Sequence, residues 1–201
     1  MGLFKSMFGG GDSNPPPRVI KSPQELLTAD MMKMEFSDQA LISGQTLKVT
    51  EQVFYDLSAV ESCKVVSVME GADQRVLVST STINPDRPLE VAISVLPDEV
   101  FKIFKQEQFT AIFDQPDITD HRITKMSSPE QAQGFLGESY YQERTNEAYR
   151  STKDCREDSL NESDWAAFDY KLMVSDDRCH AVRIEVYDGG RTDVYLIAYL
   201  S

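Results

Sequence analysis

The sequence predicts an α+β domain built on a mainly antiparallel β-sheet, and three observations carry that expectation. From Trp165 to Ser201, apolar and polar residues alternate over Phe168–Val174, His180–Tyr187 and Thr192–Leu200. The turns Ser175-Asp176-Asp177-Arg178 and Asp188-Gly189-Gly190-Arg191 separate these runs, so they read as a C-terminal three-stranded meander. Shorter β-branched runs between residues 45 and 96 add an N-terminal hairpin set. Two stretches with helical apolar spacing, after Ser22 and after Pro97, supply about two helices to pack on the sheet. A single sheet is favoured, with a two-sheet sandwich or a half-barrel as the other arrangements.

A chain of 201 residues, 41% hydrophobic and 26% charged, suits one domain that forms its core without staples. Residues 1–17 form a flexible tail and linker, and residues 18–201 the single globular α+β domain. Within the tail, Gly9-Gly10-Gly11 and Pro15-Pro16-Pro17 cannot build a core. Leu3, Phe4, Met7 and Phe8 gather on one side of a short helix, a weak membrane tether with a single lysine. Gly2 and Ser6 also fit the N-myristoylation pattern. The first eight residues do not make a signal peptide, and no run of about twenty apolar residues spans a membrane.

Ser22-Pro23-Gln24-Glu25 reads as a capped helix start, followed by Leu26, Leu27, Met31 and Met34 at helical spacing. Strands follow at Gln45–Tyr55, Cys63–Met69, Arg75–Thr82 and Leu89–Leu96. The second and third make a hairpin over Glu70-Gly71-Ala72-Asp73. The near-continuous apolar character of the fourth places it centrally in the sheet. Pro97-Asp98-Glu99 opens a helix whose apolar side runs through Val100, Phe101, Phe104, Phe109, Ile112 and Phe113. Beyond it, His121–Met126 reads as a strand. The run Gly134-Phe135-Leu136-Gly137 before Tyr140-Tyr141 reads as backbone turning closely under aromatic cover, and Ser151–Ser163 as an acidic surface loop.

Cys63, Cys155 and Cys179 are an odd set without CxxC spacing and are expected to be free thiols in a reducing cytoplasm. The net charge of −13 repels phosphate backbones, so no nucleic-acid partner is expected. His121 and His180 are the only histidines, and neither zinc spacing nor an EF-hand loop occurs. There is no P-loop, GxGxxG or GxSxG motif. No catalytic residue, metal or cofactor is therefore assigned.

In the meander, Phe168, Tyr170, Leu172, Val174, Val182, Ile184, Val194 and Leu196 are expected on the core face. Arg183, Glu185, Tyr187, Tyr195 and Tyr199 then project from the opposite face. Tyrosine and arginine are favoured at recognition surfaces, which makes these five the candidate binding residues. The plain alternative is cross-strand pairing, such as Lys171 with Glu185. The expected function is a non-enzymatic interaction or regulatory module with a protein partner in the cytoplasm. One alternative is a small-molecule binder, or a hydrolase-like enzyme using dispersed carboxylates; it requires a deep pocket with convergent polar groups. Another is an accessory protein peripheral to the membrane, held by Leu3, Phe4, Met7 and Phe8.

Overall fold

A computed structural model describes residues 18–19, 34–36, 45–58, 60–71, 75–79, 81, 88–114, 120–156 and 160–200. The strands are β1 (Arg18–Val19), β2 (Met34–Phe36), β3 (Gln45–Asp56), β4 (Lys64–Glu70), β5 (Arg75–Ser79), β6 (Leu89–Val95), β7 (Arg122–Thr124), β8 (Ser139–Ser151), β9 (Ala166–Ser175), β10 (His180–Tyr187) and β11 (Thr192–Leu200). Two helices, α1 (Pro97–Ile103) and α2 (Gln106–Asp114), follow β6. The α+β class with a mainly antiparallel sheet is therefore as expected, though the sheet is larger than the sequence suggested.

The strands lie in the order β1-β2-β3-β4-β5-β6-β11-β10-β9-β8-β7, and β3 also pairs with β8. That extra ladder joins Phe54 to Ser151, Tyr55 to Arg150 and Asp56 to Tyr149. Strands β3, β4, β5, β6, β11, β10, β9 and β8 thus form a closed antiparallel barrel, with β2 and β7 continuing from its two seam strands. Eight strands enclose just enough room for side chains or one small ligand.

Directly paired residues of an antiparallel ladder share a face, so the register identifies the inner wall. Tyr55 pairs with Lys64, Ser79 with Glu90, and Glu90 with Tyr199. Continuing round, Tyr195 pairs with Arg183, Arg183 with Leu172, Leu172 with Arg144, and Arg150 with Tyr55 again. All of these face inward. The outward residues Val182, Ile184, Val194, Leu196 and Ala198 form a buried cluster with Val100, Ile103, Phe104, Phe109 and Ile112 of the helices. The driest part of the molecule is thus the outer wall under α1 and α2.

Several expectations are corrected. The apolar residues of β9 do not share a face with Val182 and Ile184. Leu172 stands opposite Arg183, and Lys171 stands opposite Ile184 rather than Glu185. Period two separates the two faces of each strand without matching faces between strands: the apolar set Phe168, Tyr170, Leu172 and Val174 of β9 shares the inward face with Arg183 and Glu185, and Asp169, Lys171 and Met173 share the outward one with Val182 and Ile184. The single helix after Pro97 is two helices, because Phe104 leaves the first in an extended conformation. Its buried ring meets Tyr140 edge-on at 5.6 Å while its backbone bridges Lys125. The helix starting at Ser22 lies outside the described residues, apart from Met34, which begins β2. The expected tether residues Leu3, Phe4, Met7 and Phe8 also lie outside them.

The close turn before β8 is present. The Gly137 N–H donates to the Tyr140 hydroxyl at 2.7 Å, and a Cβ at Gly137 would meet the Ser175 Cβ at 2.8 Å. Burial pushes the Tyr140 phenol up to about 12.

The three cysteines are not three free thiols. Cys63, just before β4, is bonded to Cys155, just after β8, across 92 positions, and Cys179 is free and exposed. Barrel closure brings the two together, which spacing alone does not reveal. The bond lies beside the short β3–β8 ladder, where the Ser58 hydroxyl also donates to the Glu147 carbonyl at 3.1 Å. Cys63→Ser is expected to lower unfolding free energy by about 2–4 kcal/mol. Urea denaturation followed by far-UV circular dichroism reads this as a lower midpoint, with the native spectrum unchanged.

Candidate binding cavity inside the barrel

The inner wall carries charge where an apolar filling would serve packing. Arg183 is 5% exposed, Glu185 0% and Tyr195 7%. The Arg183 guanidinium lies 4.3 Å from the Tyr195 ring centre and 5.2 Å from that of Tyr55, which reaches it across the barrel from the seam. Its Nε is 3.0 Å from Glu185 Oε1, an ion pair without hydrogen-bond alignment, and its Nη2 is buried with no partner. The Tyr187 hydroxyl donates to the other Glu185 oxygen at 2.7 Å. Burial opposes the charge on Arg183, but Glu185, then Tyr55 and Tyr195, outweigh it and hold the guanidinium protonated.

Nearer one end of the barrel, Lys64 Nζ sits 2.6 Å from Glu90 Oε2, their side chains 9% and 15% exposed. The Ser79 hydroxyl donates to the same carboxylate oxygen at 3.3 Å. Burial favours the neutral acid at Glu90, yet the adjacent ammonium overcomes it, so the carboxyl lies below its ordinary range. Burial also raises the Tyr170 and Tyr199 phenols, which stay neutral donors.

Between these groups is a cavity of about 260 Å³. Tyr170, Leu172, Val174, Ile197 and Tyr199 supply apolar wall, and Lys64, Glu90, Arg144 and Arg183 supply charge. Leu57, Val60 and Glu61, from the turn joining β3 to β4, and exposed Glu143 and Arg178 frame its entrance. That turn is fixed by a bond from the Leu57 N–H to the Glu61 carbonyl at 2.9 Å, and Cys63 follows it into the disulfide. Glu143 and Arg144 are adjacent in sequence but both line the cavity, because β8 bulges between Gln142 and Arg144 against β9.

Among the sequence candidates, Arg183 and Tyr199 line this cavity, and Glu185 and Tyr195 lie deeper in the same barrel interior. Tyr187 sits further along β10 beneath Arg191, 4.1 Å from its ring centre. The five share one face, as expected, but the face is enclosed rather than presented to solvent, because the sheet curls that way. Lys64, Glu90, Arg144 and Leu172 were missed. A signal for two of them was present: Lys64 and Glu90 are lone charges in strand runs that otherwise read as buried.

No protein-family model matches the chain, and comparison with curated proteins and with solved structures returned no match. No helix among the described residues is long and apolar enough to cross a membrane.

Removing one partner of a largely buried ion pair strands the other charge. Lys64→Met should therefore cost about 3 kcal/mol, and Lys64→Met with Glu90→Leu should recover most of it. A carboxyl held low in the folded state contributes stability above the unfolded range and loses it as pH falls through the folded value. The deficit of Lys64→Met should thus be fully present at neutral pH and shrink as Glu90 is protonated in acid. Denaturation midpoints at pH 7 and pH ~3 for the three variants check both statements.

Proposed function

We propose that this protein is a non-enzymatic binder of a small molecule, which it holds in the open end of its barrel. The observation that carries this reading is the cavity of about 260 Å³ in which apolar wall and charged side chains converge. A pocket of that kind is the usual form of a small-molecule site. It is also where the chain tolerates Arg183, Lys64 and Glu90 out of water, a cost that packing alone gives no reason to bear. A protein interface formed by Arg183, Glu185 and Tyr195 fits less well, since these side chains are buried inside the barrel. Among the described residues, the cavity lining includes no serine, cysteine or histidine, and so no nucleophile-and-base pair of the usual kind.

Ligand-observed NMR with a panel of hexanol, cyclohexanol, phenol, benzoate and hexylamine tests the reading. Leu172→Trp fills the cavity wall and serves as the blocked control. Binding of at least one probe to the wild type, lost in a Leu172→Trp protein that keeps its circular dichroism spectrum, is expected. No binding by any probe, or equal binding to both proteins, would overturn it.

A further inference from the structure

The inner wall has an uneven arrangement of charge that narrows the class of ligand. Arg144, Leu172 and Arg183 stand side by side on β8, β9 and β10, in register and facing inward. Two strand spacings separate the arginines, roughly 10 Å between backbones, so guanidinium groups on flexible stems flank the space above Leu172. The other cations of the cavity have partners: Lys64 is held by Glu90, and exposed Arg178 lies 3.9 Å from Glu143. Among the described residues, no carboxylate lies within 4.0 Å of Arg144. Arg183 has Glu185 beside Nε but retains a buried Nη2 with no partner. A guanidinium has five N–H donors and no acceptor, so two of them around one space leave donors that only an anion or a polar acceptor satisfies.

The next row toward the entrance is apolar. Val174, Ala181 and Ile197 are in register across β9, β10 and β11. The cationic end is therefore the inner one, and the hydrocarbon wall lies between it and solvent.

We infer that the cavity takes an amphipathic monocarboxylate, its carboxylate seated between Arg144 and Arg183 and its hydrocarbon body along Leu172, Val174 and Ile197. This rests on the small-molecule reading above and adds the chemistry and direction of the ligand. A carboxylate matches the planar donor fork of arginine and is bound by charge-assisted hydrogen bonds. The protein's net charge of −13 opposes an anion at long range, so the selectivity arises from the local donors, beyond the reach of screening.

Octanoate, octanol and octylamine, identical in hydrocarbon body, separate the contributions in isothermal titration of the full chain at neutral pH. Octanoate is expected to bind at least about tenfold more tightly than octanol, with octylamine weakest. Arg144→Gln, at a half-buried position, should bring octanoate down to the affinity that the same variant shows for octanol, and Arg144→Lys should restore part of the preference. Octanol or octylamine binding as tightly as octanoate, or a preference that survives Arg144→Gln, overturns the assignment while leaving the cavity a binding site. Failure of all three octyl probes, where the broader panel binds, also overturns it. Failure of both sets removes the small-molecule reading itself.

Discussion

Three residue pairs between β3 and β8 turn a long curled sheet into a tube, and the rest of the molecule depends on that closure. A sheet left open at this seam would present two unpaired strand edges. Closing it satisfies their backbone groups and sets the curvature that makes one face an interior. Tyr55 is the residue where both effects meet. Its backbone belongs to the seam ladder, and its ring lies 5.2 Å from the Arg183 guanidinium contributed by the far wall. The disulfide and the Ser58 contact to β8 reinforce a junction that is short for its task.

Closure also explains how the chain keeps charge inside without losing its fold. On the inner wall two pairs of buried charges answer one another: Lys64 and Glu90 across β5, and Arg183 and Glu185 two residues apart along β10. The tyrosines contribute rings to the cation and a hydroxyl to the carboxylate, so much of the hydration lost is replaced by fixed dipoles. Apolar burial, the main stabilising contribution, is collected on both sides of the wall, inside among Val53, Val66, Val68, Ala148 and Phe168 and outside beneath the helices. Val182, Ile184 and Leu196 point outward into the helical layer, where Phe104 and Phe109 stack at 6.3 Å.

Much of the local structure was legible from the sequence because it is written in short-range pattern. The meander β9–β10–β11 and the β4–β5 hairpin follow from alternation and turn residues. So does the tight approach at Gly137. What failed was long-range. Period two in β10 separates Arg183 from Val182 but does not reveal which side is concave, so an enclosed face reads like a solvated one. Seam partners such as Tyr55 and Arg150 lie far apart in the chain, and so do Cys63 and Cys155. Nothing local links them. Phe104 ended α1 because of a ring contact with Tyr140, not through any breaker in its own segment.

The helical layer over the outer wall has a consequence for how such a chain tolerates change. Much of the packing that holds the tube together, the outward cluster, lies in side chains that never touch its contents, since β10 and β11 point Val182 and Leu196 one way and Arg183 and Ile197 the other. Alternate positions of the same strands thus answer to different demands. The lining could be rewritten, one inward residue at a time, for a differently shaped guest while the outward set stays fixed. A scaffold divided in this way is open to diversification through point substitutions, without insertions or new loops.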